Sequence, residues 1–195
     1  MSKQGILFVV TGPSGVGKGT VLAKVREQRE LYFSISATTR KPREGEQDGV
    51  HYYFLTKEQF EQKVAAGGFL EHAQFSGNYY GTPAEPVDRQ LKEGKDILLE
   101  IEVQGAMQVR ENRPDAVRIF LAPPSFAELE KRLTGRGTED AEAIRMRLET
   151  AKHELTLAPQ FDYIVVNNTV EQAVSDVLAI MQAEACRAER TEIQS

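Results

Sequence analysis

Only one cysteine, Cys186, occurs in the 195 residues, so no disulfide can close within the chain and a reducing compartment fits. Histidine is nearly as scarce. His51, His72 and His153 have no metal-ligating spacing and form no Ser-His-Asp or Cys-His pattern, so they read as structural or solvent-facing. Long apolar runs are missing too, and nothing approaches the roughly 20 residues needed to cross a bilayer. The opening "MSKQGILFVV" loses its apolar character at Thr11 and carries no cleavage pattern, so the expectation is a cytoplasmic protein with no membrane partner. An excess of positive charge is absent: 24 Lys and Arg stand against 29 Asp and Glu, a net charge of -5. That excludes a general nucleic-acid binder with a basic face, yet permits a few arginines to converge on a small anion. There are no internal repeats or low-complexity tracts, and the sequence leaves room for a homo-oligomer.

What is present is an ordinary globular composition, 41% hydrophobic and 27% charged, in a length that buries a sizeable core without disulfides or a structural metal. "ILFVV", "ILLEIEV" and "VRIFLA" read as buried strands, with "YIVVN" a fourth. Helical patterns lie between them: "GTVLAKVREQRE", "PAEPVDRQLKEG", "PSFAELEKRLTG" opened by a Ser125 N-cap, "AEAIRMRLETAKHELTLA", and the terminal "VEQAVSDVLAIMQAEACRAER". The alternation predicts an α/β fold with a parallel sheet covered on both faces. Residues 34–82 break it. "FSISATT", "HYYFL" and "FLEHAQF" read as mixed-polarity strands and "KEQFEQKVAAGG" as one short helix, so a small mixed lobe is inserted after the first core helix. "TGRGTED" is a second irregular piece.

"GPSGVGKGT", residues 12–20, follows a strand and opens a helix, as a phosphate-cradling loop does. Gly12, Pro13, Ser14, Gly15, Val16 and Gly17 would offer backbone N–H groups, and Lys18 reaches terminal phosphates. Gly19 stands where such loops place a hydroxyl for Mg²⁺, and Thr20 supplies one a residue late. Mg²⁺ would then be held mainly by ATP phosphates and water. A second cluster is "SISATTRKPREGEQDGVHYYF", where Arg40 and Arg43 accompany Ser36 and Tyr52. Two guanidinium forks suit a phosphate dianion. Taken alone, the cluster also suits a solvated basic loop neutralised by Glu44, Glu46 and Asp48. In "FLEHAQFSGNYYGT", Glu71 occupies an otherwise apolar strand and Thr82 follows a turn. A carboxylate there can accept from the paired N1–H and N2–H₂ donors of guanine, whereas adenine has no donor at N1. Taken alone, Glu71 reads first as an edge-strand glutamate facing water. Glu100 and Glu102 are two apart in "ILLEIEV", which as a strand puts both on one face, near the edge where open α/β sheets bind ligands.

Together, "GPSGVGKGT", "TTRKPREGE", "FSGNYYGT", "IEVQG", "APPS", "KRLTGRGT" and "IVVNN", in this order, resemble the guanylate kinase family over almost the whole chain. The resemblance implies a P-loop kinase core of three layers, with core segments 1–33, 83–124 and 158–195. It also implies a mixed α/β GMP-binding lobe at 34–82, and a small helical lid with its long helix at 125–157. The implied reaction, in purine nucleotide metabolism and GMP recycling, is ATP + GMP (or dGMP) → ADP + GDP with Mg²⁺. By matching position, Ser36, Arg40, Arg43, Tyr52 and Tyr80 would hold the GMP phosphate, and Glu71, Thr82 and Glu102 would read guanine. Residues 12–20, Arg132 and Asn167 would bind ATP. Lys18, Arg136 and Arg147 would act on the transferring phosphoryl group, and Glu100 would orient Mg²⁺-bound water. The family often has serine in place of Thr82 and aspartate in place of Glu100 and Glu102. Two rivals stand beside this reading. One is a catalytically dead scaffold module, against which the intact Lys18 and lid arginines argue. The other is a P-loop kinase for another phosphorylated acceptor, against which Glu71, Thr82 and the tyrosines argue.

Overall fold

The computed structural model describes residues 4–75, 77–134 and 141–191. Nine strands form two sheets among them. The larger sheet is built on β1 (Leu7–Thr11), whose five residues are all buried. β1 is flanked on one side by β7 (Ile97–Glu100) and then β2 (Tyr32–Phe33), and on the other by β8 (Val117–Ala122) and β9 (Tyr163–Val166). Every pairing in this sheet is parallel, from Leu7↔Ile97 on one side of β1 to Phe8↔Val117 on the other. The chain order reverses at β1, so a crevice opens beyond its C-terminal end.

Strand alternation sends the core two ways. Phe8, Val10, Leu98, Ile119 and Leu121 pack under α1 (Lys18–Gln28) and α7 (Val170–Ala185), against Leu22, Val25, Val177 and Met181. Leu7, Val9, Ile97 and Leu99 point the other way, under α3 (Ala84–Lys92) and α4 (Val103–Asn112), against Val87, Leu91, Ala106 and Val109. The result is a three-layer α/β core. Fully burying each such aliphatic side chain is worth about 1.5–3 kcal/mol.

The smaller sheet orders its strands β4 (Tyr53–Phe54), β3 (Ala37–Thr38), β6 (Asn78–Pro83) and β5 (Phe69–Phe75). α2 (Lys57–Ala65) covers it, held at its start by a capping box between Thr56 and Gln59. Its Phe60 stacks between Phe69 at 4.4 Å and Tyr79 at 5.3 Å. α5 (Phe126–Thr134) begins where Glu128 N–H donates to Ser125 Oγ (3.1 Å), as the sequence suggested, and α6 (Ala141–Leu157) follows.

Four expectations change. "FSISATT" is not one strand, because the chain crosses from one sheet to the other between Phe33 and Ala37, so only two residues pair on each side. "HYYFL" contributes only Tyr53 and Phe54. "ILLEIEV" is a strand only as far as Glu100: the register with β1 closes at Val10↔Glu100, Ile101 N–H still donates to Val10 O at 3.4 Å, and Val103 then opens α4, a helix the alternation concealed. The terminal helix stops at Ala185, five residues before the expected limit, and a short 3₁₀ turn (Ala188–Arg190) follows. Most of "TGRGTED" lies outside the described residues.

Candidate active site

β1 delivers the chain to loop 12–17 at the sheet's reversal point. A Cβ on Gly12 would sit 2.2 Å from the Leu121 carbonyl oxygen, so only glycine passes β8 at this distance. Gly17 is the N-cap of α1 with φ 96, and no side chain caps the helix. The first-turn N–H groups of α1 are therefore left for an external anion. Lys18 folds back over the loop and donates to the Gly12 carbonyl at 2.5 Å. Burial pushes its ammonium below the ordinary lysine range, against the opposing pull of Glu100, Glu154 and Glu102.

Asn167 fastens this loop from behind. Its side-chain amide donates to Val16 O (2.8 Å), and its backbone N–H to Ala122 O (2.8 Å). Asn167 is buried at 4% exposure, with its side-chain amide committed to the loop. Arg132 on α5 reaches within 3.4 Å of the Asn167 carbonyl and 3.3 Å of Glu128. Leu133 of the same helix packs where a Cβ on Gly15 would fall.

Three carboxylates face Lys18. Glu100 ends β7, exposed, with Oε1 3.9 Å from where a Cβ of Gly19 would stand. Alternation predicts Glu102 on one strand face with Glu100, but β7 ends at Glu100 and Glu102 is instead the exposed residue preceding α4. Neither is buried in the sheet, so neither demands a buried partner. Glu154, on the half-buried side of α6, completes the set, and burial raises its pKa while Lys18 opposes the rise. Among the described residues no three His, Cys, Asp or Glu side chains are grouped to hold a metal ion. One carboxylate beside the loop, without a cage, fits Mg²⁺ that arrives with a nucleotide and keeps its waters.

Across the crevice, the Arg40 fork grips Glu46 with two bonds of 2.9 Å, and Glu46 also accepts from Arg43 N–H at 2.7 Å. Arg40's hydrogen bonds, with Arg43's behind them, hold the Glu46 carboxyl at a pKa of about 2. The Arg40 guanidinium lies 5.4 Å from the Tyr52 ring centre, and Tyr52 meets Tyr80 edge-on at 6.3 Å. Arg43 is exposed, and half-buried Ser36 accepts from Tyr53 N–H through its carbonyl. Tyr80 lies on β6, while Ser36 precedes β3, Arg40 follows it and Tyr52 precedes β4, so the four sit at neighbouring strands and strand ends of the small sheet.

Glu71 is not a water-facing edge residue. It is 9% exposed and pairs across the strands with Thr82, whose hydroxyl donates to Glu71 Oε1 at 2.6 Å. Burial pushes its carboxyl above the ordinary range, the Thr82 bond resists, and Glu102 adds to the rise.

A sequence model described as guanylate kinase matches residues 4–184 of this chain. The chain belongs to the guanylate kinase family. It is similar to a guanylate kinase of Thermus thermophilus, 56% identical over 187 residues that cover 96% of this chain and 85% of that protein. The guanylate kinase of Listeria innocua is 53% identical over 192 residues, covering 97% and 94%. The crystal structure of guanylate kinase from Anaplasma phagocytophilum superposes with a TM-score of 0.73 at 33% identity, covering 97% of this chain and 90% of that one.

Within this guanylate kinase fold, the loop, Lys18, Arg132, Asn167, Glu100 and Glu102 converge at the crevice. Arg147 is half-buried on α6, and Arg136 lies outside the described residues. Sequence reading missed Glu154. Its signal was there: Ala151, Glu154 and Ala158 fall at helical spacing on one stripe, a carboxylate among buried alanines. It also missed the bonds by which α4 holds Glu71's strand.

Proposed function

We propose that the protein is a guanylate kinase that transfers the ATP γ-phosphoryl group to GMP, or dGMP, giving ADP and GDP. The observation that carries the base choice is Glu71, buried, bonded to Thr82 on one oxygen and within reach of Glu102. In its ionised form it accepts from the N1–H and N2–H₂ of guanine, with Thr82 and Glu102 completing the reading. The N1 of AMP offers no donor, and its buried mismatch with a carboxylate costs about 1–3 kcal/mol or more.

Loop 12–20 takes the ATP phosphates on its N–H groups, with Lys18 released from the Gly12 carbonyl onto the terminal phosphates. Arg132 and Asn167 shape the ATP side, Asn167 through the loop. Ser36, Arg40, Arg43, Tyr52 and Tyr80 hold the GMP phosphate. A GMP phosphate oxygen attacks the γ-phosphorus in line while the bond to the bridging oxygen of ADP breaks. Two anions must approach, and Lys18, Arg40, Arg43, Arg136 and Arg147 offset their repulsion. Glu100 would orient the waters of Mg²⁺ bound with ATP, and the ion, when bound, would supply charge neutralisation at the phosphates. Residues 34–82 and 125–157 act as closing parts that exclude water. No helix among the described residues is long and apolar enough to cross a membrane, and a cytoplasmic setting suits the single thiol.

An assay of ADP release across GMP, AMP, CMP and UMP tests this reading. GMP should exceed the others by orders of magnitude. Equal use of AMP, or no turnover with any acceptor, would sink it.

A further inference from the structure

α4 begins beside Glu71. Gly105, in the first turn of α4, is a buried glycine in a helix, where glycine costs up to about 1 kcal/mol relative to alanine. A Cβ placed on it would stand 2.8 Å from Glu71 Oε2, 3.3 Å from Cδ and 3.4 Å from Cγ. The space that a side chain would fill is occupied by the carboxylate itself. The backbone on either side of Glu71 is tied to the same helix: Gln108 accepts from His72 N–H (3.0 Å) and donates to His72 O (2.9 Å), and Asn112 donates to Leu70 O (2.9 Å). Thr82 holds the other carboxylate oxygen. The strand cannot retreat from α4 without breaking those bonds. A methyl group at residue 105 therefore acts on the one part that can yield, the end of the Glu71 side chain.

We infer that Gly105 is a specificity-positioning residue: its missing side chain sets where the Glu71 carboxylate stands, and α4 locks that distance through Gln108 and Asn112. The inference rests on the reading of Glu71 as the guanine acceptor. It assigns α4 of the core, not only the small sheet, to base selection. Gly105 touches no reacting atom and acts through Glu71 alone.

Gly105→Ala tests it. KM for GMP should rise about tenfold or more through a displaced hydrogen-bond pair, and the GMP/AMP ratio of kcat/KM should fall with it. KM for ATP should be unchanged, and the melting temperature unchanged or raised, because alanine favours the helix. In a Glu71→Ala background the same change should leave GMP affinity, read by calorimetry, nearly unaltered, the non-additivity expected when one residue acts through another. Gln108→Ala should lower the GMP/AMP ratio more mildly, again without touching ATP. Parallel losses for ATP and GMP with a lowered melting temperature would make Gly105 merely structural and overturn the inference. So would failure of Gly105→Ala to fold, since the carboxylate end must yield first. Glu71→Gln separates the two readings. If it leaves the GMP/AMP ratio intact, the guanine assignment falls and this inference with it; if it lowers the ratio while Gly105→Ala does not, this inference alone falls.

Discussion

Lys18 and Glu71 are each held between two protonation tendencies, and both are exposed to direct test. Lys18→Ala should lower kcat/KM by about a hundredfold or more, the scale seen when one preorganised donor to developing charge is removed. Melting should not suffer, since burial already disfavours the ammonium. Near-normal turnover would dismiss the loop as the ATP site. Glu71 gives a pH signature. Its folded pKa lies above the ordinary 4.5, so the unliganded protein binds more protons than the unfolded chain in that window and loses stability as pH rises through it. Activity runs the opposite way: guanine needs the ionised form, so kcat/KM for GMP should climb with pH through the raised value. In Glu71→Gln that limb should vanish from the GMP profile; its persistence would assign the titration to another group. Arg40→Ala should reduce GMP use by about 10- to 100-fold, the loss of charge-assisted bonds to a dianion, with ATP affinity nearly unchanged. An equal fall in ATP affinity would move Arg40 out of the acceptor site.

Elements carry what single residues cannot, and they mark the limit of what the chain reveals unfolded. The loop was legible because its chemistry is local: strand, glycines, lysine and helix are contiguous. Glu71 was legible only in part: its charge stood out in "FLEHAQF", but taken alone it read as facing water, because the Thr82 and α4 neighbours that bury it come from elsewhere in the chain. α4 was not legible, because "EIEV" alternates like a strand although the pairing with β1 closes at Val10↔Glu100 and the helix opens at Val103. Nor was the site of Asn167, since its partner Val16 is brought near only by the parallel stacking of β8 and β9 beside β1. That bond makes a prediction at the level of the loop. Asn167→Ala leaves the Val16 carbonyl unpaired and should cost about 1–3 kcal/mol in stability. KM should rise by the same factor for ATP and for GTP offered as donor if, as proposed, the loop holds phosphates and not the base. A change in the ATP/GTP ratio would place Asn167 at the adenine instead.

For the whole molecule, the sheet order has a consequence for how the chain reaches this state. β1 is made early in synthesis, yet its partners β7 and β8 lie in the middle of the chain, as Leu7↔Ile97 and Phe8↔Val117 record. The β5–β6 hairpin, by contrast, closes over a short turn, from Glu71↔Thr82 to Phe75↔Asn78. Loop closure delays the long-range pairings, so the small sheet can mature while the central strand still waits. A nascent chain therefore carries the apolar "LFVV" unpaired on the ribosome, the kind of strand that invites aggregation until its neighbours emerge. Pulse-labelled hydrogen exchange during refolding should find amides of Glu71–Phe75 protected before those of Phe8–Val10. Simultaneous protection would mean that the two sheets form as one cooperative unit. The order matters to the cell: the segment proposed to choose the base would be shaped while loop 12–20, though made earlier, still lacks the neighbouring strands that fix it.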